Sequence, residues 1–237
     1  MSHRFLWFLP LAAALALTGC SSAGQTQPEP EQAQTQSQDG NLDAGQVETV
    51  VRTLLGEDPS LTVVGNETMQ QQLQMAKGMG STSGITPEKC AKQMEKYTVT
   101  DLTASVSATG SVTAESLGKV VQVFSITDEA TRKKTSDALM LDDISGCEKV
   151  TVEQSGEKLS ADRQILPLKV DADQSLTMST QMDVGGGQKM CSVVVQALKG
   201  NNFVIVTFQT GLAESATMSA EAVELINKAF AEIETLN

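Results

Sequence analysis

From Lys149 onward the chain alternates strand-like runs with short turns, a rhythm that fits an antiparallel sheet. Segments 149–154, 164–170, 176–182, 190–198 and 203–209 are expected strands. The spacers between them fall short of the roughly dozen residues that a parallel crossover takes. Leu176, Met178, Thr180 and Met182 alternate with Thr177, Ser179 and Gln181. That period of two predicts one buried and one wet face. Gly185-Gly186-Gly187 and Lys199-Gly200-Asn201-Asn202 read as hairpin turns. Pro167 has no N–H for a ladder, so its strand is expected at an edge or with a bulge.

The preceding stretch changes period. Val47, Val50, Val51, Leu54 and Leu55 recur at helical spacing and stop at Gly56; Met69, Leu73, Ala76 and Met79 make a second stripe. Thr86-Pro87-Glu88 predicts a helix start, with Thr as cap and Pro in the first position, on a helix carrying Cys90 and Met94. Strands are expected around 104–108 and over 120–126. Asp128 is placed to cap a helix running to about Met140. A last helix, about 220–236 with Ser219 as cap, presents Val223, Ile226, Phe230 and Ile233 on one stripe. The expected class is α+β: an antiparallel sheet with N-terminal helices and a C-terminal helix packed on it, in one domain over 44–237.

Ahead of that domain, Arg4 is followed by an uncharged apolar run of 13 residues, Phe5 to Leu17. It is short of the roughly 20 residues a spanning helix needs and suits the core of an export leader. The run closes on Leu17-Thr18-Gly19-Cys20, which resembles the lipobox of bacterial lipoproteins. The resemblance implies a signal peptide over 1–19, cleavage after Gly19, and palmitate-type acylation at Cys20. The chain would then be held on the extracytoplasmic face of the cell membrane. Residues 20–43 are the expected lipidated cysteine and flexible stalk. The stretch from Ser21 to Asn41 holds no large apolar residue and cannot offset the entropy of ordering.

Cleavage at that point has chemical consequences. The leader contains the chain's one histidine, His3, its one tryptophan and one of its 17 basic residues, leaving 16 against 29 acidic ones and a net charge of −13. Ser-His-Asp and Cys-His catalysis and His-containing zinc sites are thereby excluded from the mature chain. Nucleic acid is disfavoured too, because neutralising phosphates takes a Lys/Arg footprint.

Three cysteines follow the anchor, and outside the cytoplasm a disulfide is the default expectation. Cys191 shares a strand face with Val193, Val195 and Ala197 and reads as a buried apolar residue. That favours a Cys90–Cys147 pair and leaves open the pairing of Cys191 with either. Asp171-Ala172-Asp173 starts like a calcium loop, but Leu176 and Met182 stand where the turn glycine and bidentate glutamate belong. Gly185 to Met190 lacks the spacing and hydroxyl of a P-loop. Asp142-Asp143 reads as a solvated helix end, Asn66-Glu67-Thr68 as a chance glycosylation pattern, and the methionines as core filling. No cofactor, metal or catalytic set is expected.

Ile85-Thr86-Pro87-Glu88-Lys89-Cys90-Ala91 resembles the Thr-Pro-x-x-Cys helix of an actinobacterial group of secreted and lipid-anchored proteins. That group includes the extracellular sensor domains of receptor-type Ser/Thr kinases. Gly146-Cys147, the Val193–Val206 hairpin around Lys199-Gly200-Asn201 and the C-terminal helix extend the likeness over about 44–237. It implies a sheet-and-helix domain, a Cys90–Cys147 bridge and a groove able to hold a ligand. The chain shows no kinase sequence and no spanning helix, so signal transduction does not carry over. The resulting expectation is a non-enzymatic, sensor-like envelope lipoprotein. It would bind a lipid-like or peptide ligand, or a protein partner. The alternatives are a carboxylate-based envelope enzyme and a purely structural scaffold. With Tyr97 the one tyrosine, stacking on glycans ranks lower.

Overall fold

The computed structural model describes residues 40–76, 84–99, 101–113, 117–154, 157–185, 187–211 and 215–236. In chain order the elements are α1 (Ala44–Leu55), β1 (Thr62–Val64), α2 (Asn66–Ala76), β2 (Ile85–Thr86), α3 (Glu88–Lys96), β3 (Ser105–Thr113), β4 (Leu117–Ile126), α4 (Glu129–Ala138), β5 (Lys149–Gln154), β6 (Glu157–Ile165), β7 (Gln174–Asp183), β8 (Lys189–Lys199), β9 (Asn202–Thr210) and α5 (Ser215–Leu236). Among the described residues the strands form one sheet in the order β1-β3-β4-β9-β8-β7-β6-β5-β2. Every pairing is antiparallel. The class is α+β.

Hairpins account for most neighbours, but β4 and β9 are distant in sequence and pair from Leu117↔Thr210 to Ser125↔Asn202. This joint unites the two halves of the chain. It is built from Val and Phe on both strands, residues that suit a pleated surface buried on two sides.

On the first face, α1 and α5 cover β3, β4, β9 and β8. Val47, Val50 and Val51 of α1 and Ala222, Ile226, Ala229 and Phe230 of α5 meet Val121, Val123, Val193, Val195, Val204, Val206 and Phe208. Asp43 starts α1 with a reciprocal cap: its side chain accepts from the Gln46 backbone N–H, and the Gln46 side chain accepts from the Asp43 N–H. Gly110 lets α1 approach β3, because a Cβ there would run into Val51 and Leu55.

On the second face, Phe124, Ile126, Leu198 and Phe203 pack with Met69 of α2, Leu139, Leu141, Ile144 and the disulfide. Cys90 on α3 is bonded to Cys147 across 57 residues of sequence. Cys191 is a buried free thiol.

Several local expectations need correction. Thr86 is no helix cap: it pairs with Thr151 in β2, and Pro87, joined to it by a cis peptide, takes the cap position without a side-chain bond. The strand expected at 164–170 is β6, which ends at Ile165; Pro167 lies in the following loop. Ser219 is inside α5 and buried rather than capping it. The expected wet phase of β7 begins with Thr177, only 3% exposed beneath the first-face layer, so the sheet is covered in part on both sides. Asn41, Leu42 and Asp43 belong to the packed domain rather than the stalk: Leu42 is 2% exposed and its N–H donates to Ser125 Oγ at 2.9 Å. Met79 of the second stripe lies outside the described residues, as do Cys20 and the leader.

Candidate functional site

Among the described residues, Lys199 and Arg163 each place a cation beside apolar surface, and they differ in whether that cation is satisfied. The first lies in an open cleft of about 300 Å³ where the chain enters the domain, lined by Gly40, Lys199, Gly200, Asn201, Asn202, Phe230, Ile233 and Glu234. Lys199 bonds Glu234 at 2.8 Å and Asp171 at 3.3 Å, and lies 5.9 Å from the Phe230 ring centroid. Its ammonium is held above the ordinary lysine range, chiefly by the Glu234 bond and then by Asp171. Asp173 Oδ2 accepts from the Gly200 N–H at 2.9 Å. The acids of the calcium-like segment thus fasten the β8–β9 turn to the loop before β7, and Glu234 ties it to α5. This charge is already neutralised, and the cleft is a latch.

The second place is on the opposite sheet face. The ladder registers Gly118, Gln209, Ser192, Thr180 and Arg163 in one row across β4, β9, β8, β7 and β6. The neighbouring row runs Val120, Thr207, Val194, Met178, Ile165. On the other side stand Met190, Met182 and Ala161. Side chains along these rows are largely half-buried, between the α2 side of the face and the disulfide side. Along this face of β4, β9, β8 and β7, and of β6 from Leu159 to Ile165, Arg163 is the one charged residue among those described.

Arg163 is 8% exposed. Its backbone N–H donates to Glu148 O at 2.6 Å, which fixes the strand rather than the side chain. Its Nη2 meets the Met178 sulfur at 3.2 Å, a weak acceptor. Its Nη1 is buried and has no hydrogen-bond partner among the described residues. Burial pulls the guanidinium pKa down from its ordinary value. It remains charged at neutral pH, because arginine does not deprotonate in proteins. Burying an ion without a counter-ion costs several kcal/mol. Ordinary surface packing does not explain such a placement.

Arg163 falls just outside the strand expected at 164–170, whereas β6 spans Glu157–Ile165 and includes it. One signal was present: Leu159, Ala161 and Ile165 alternate in phase, and position 163 falls in that phase.

The other residues singled out from sequence lie elsewhere. The Cys90–Cys147 disulfide holds α3 beside β5 at the edge of this face. Cys191 points to the first face; burial pushes its thiol up, with a hydrogen bond involving Ser179 acting the other way. Asp143 accepts from Ser145, which holds its carboxyl low. The carboxylates with a resolved shift, Asp58, Asp128, Asp143 and Glu224, are all shifted down. None of these four is held protonated as a general acid would be. Among the described residues no group of three or more His, Cys, Asp or Glu could hold a metal, and no helix is long and apolar enough to cross a membrane.

No family model matches the chain, and no curated protein matches it significantly. Solved structures similar to it include two from mycobacteria. An uncharacterised Mycobacterium smegmatis protein, the Rv0999 ortholog, matches with 14% identity over 79% of this chain and 96% of its own, at a TM-score of 0.45. The extracellular domain of PknH from Mycobacterium tuberculosis matches with 8% identity over 82% of this chain and 98% of its own, also at 0.45.

Proposed function

We propose that the chain is an extracytoplasmic, non-enzymatic binding domain, anchored to the cell membrane through acylated Cys20, whose ligand seats on the second face of the sheet around Arg163. The buried guanidinium without a counter-ion carries this reading. An isolated charge at that depth is explained most simply by a ligand that completes it. The surrounding Met178, Met182, Met190 and Val194 offer adaptable apolar contact, and Thr180, Ser192 and Thr207 offer hydroxyls. Such a lining suits lipid-like or peptide ligands better than glycans, which favour aromatic stacking. The leader, the Leu17-Thr18-Gly19-Cys20 motif and the polar stretch after it support the anchor and the compartment.

Catalysis is disfavoured on chemical grounds. Without histidine, a base working near neutrality must be a carboxylate with a raised pKa or a lysine with a lowered one. The shifts resolved here go the other way: Lys199 is raised and the four carboxylates are lowered.

The test is thermal shift of the full chain against envelope lipid extract, muropeptides and peptides, beside a hydrolysis assay for each. Stabilisation by lipid or peptide without turnover is expected. Turnover of any of them that vanishes on replacing one Asp or Glu would overturn the binding reading.

A further inference from the structure

We infer that the ligand is an amphiphile bearing a single carboxylate, whose head bonds Arg163 and whose alkyl chain lies against Val194, Met178 and Ile205 of the sheet. This rests on the binding reading above and specifies the ligand's chemistry. Among the described residues of this face in β4, β9, β8, β7 and β6 one cation stands, so one negative charge balances it; a dianionic phosphate monoester would leave an unpaired charge in the same low-dielectric place. A guanidinium is a planar fork that matches the two oxygens of a carboxylate. Here Nη1 is unpartnered and Nη2 meets only a thioether, so both nitrogens have capacity for a stronger acceptor.

Met178 is the placeholder in the ligand-free protein. Its sulfur lies 3.2 Å from Nη2, and its side chain is half-buried, unbranched and able to swing aside. A carboxylate arriving there exchanges a weak acceptor for a charged one. Thr180, paired with Arg163 in the ladder, and Ser192 beside it place hydroxyls next to the head. From that row Val194, Met178 and then Ile205 provide apolar contact for the chain toward the buried Phe203–Leu198 end. The mature protein is acidic overall, so long-range charge does not draw an anion in. The local pairing and the apolar rows must supply the attraction.

The experiment is calorimetric titration of the full chain with hexadecanoic acid, methyl hexadecanoate, hexadecanol and a lysophosphatidylglycerol, each below its solubility limit or micelle concentration. The acid is expected to bind at least about tenfold more tightly than the ester and the alcohol, the discrimination that a charge-assisted bond supplies, and more tightly than the phosphodiester, whose single charge is equal but whose bulkier head has to reach a guanidinium only 8% exposed. Arg163→Gln is expected to abolish the acid's advantage over the ester. The comparison of acid with ester on the unaltered chain needs no variant, so it stands even where Arg163→Gln does not fold. Equal binding of acid and ester, or equal binding of the phosphodiester, overturns the carboxylate assignment and leaves the binding reading intact. Absence of binding by all four overturns the assignment. Failure of lipid extract and peptides to shift the melting temperature as well overturns the binding reading with it.

Discussion

Arg163 is the residue at which stability and function are set against each other. Ligand-free protein bears a buried charge whose strongest side-chain contact is a thioether. Arg163→Met, apolar and of similar length, is expected to stabilise the ligand-free domain by about 1–4 kcal/mol while removing recognition of the anion. Denaturant unfolding of both proteins, with and without added lipid, checks this; a less stable variant would mean that the guanidinium has a native partner. Asp128 illustrates the opposite case. Hydrogen bonds from Thr131, where its side chain accepts the backbone N–H at 3.0 Å, hold its carboxyl below the ordinary range. A depressed folded-state pKa means its contribution is present above the unfolded value of about 3.9 and fades as the pH falls through the folded one. Stability should therefore decline on acidification below about pH 4, and less steeply for Asp128→Asn, which retains a cap without the titration. A pH series of melting curves on the two proteins decides it.

Among the elements, α1 and the disulfide-bearing α3 are held by contacts that differ in kind. Gly110→Ala is expected to destabilise by about 1–3 kcal/mol, since the added methyl meets Val51 and Leu55 and α1 must move off β3. The bridge spans 57 residues, so chain-entropy estimates put its contribution at about 4 kcal/mol. Cys90→Ser/Cys147→Ser should lower stability by that order in denaturant titration, while Cys191 should react with a thiol reagent only after unfolding. Strands with uniform periods were legible in the sequence: β5, β7, β8 and β9 and both hairpin turns after Asp183 and Lys199 follow from alternation and glycine placement alone. The Val and Leu stripe and its stop at Gly56 announce α1, and Asp128 before an acidic first turn announces α4, whereas the cap Asp43 was not legible as part of the domain. The sequence hid β6 because Arg163 interrupts its apolar phase, and it hid β1 and β2 because two or three residues make no pattern. Thr86-Pro87 satisfied the rule for a helix start, yet tertiary pairing with β5 claimed Thr86 for the sheet. The candidate site was barely legible, since it consists of residues from five strands aligned by register.

At the scale of the whole molecule, the β4–β9 joint gives the domain a continuous sheet, α1 and α5 close one face, and the other retains a half-covered band beside Arg163. With the proposed anchor, that band is a surface displayed outside the cytoplasm. Cys20→Ala should abolish labelling by an alkyne fatty acid in growing cells; equal labelling of mutant and wild type would remove the anchor from the account. The most direct test of the central claim is native mass spectrometry of the full chain and of Arg163→Gln, both purified from the native host. The account predicts a non-covalent ligand mass on the wild type that is missing from the variant. The same mass on both proteins, or none on either, would contradict it.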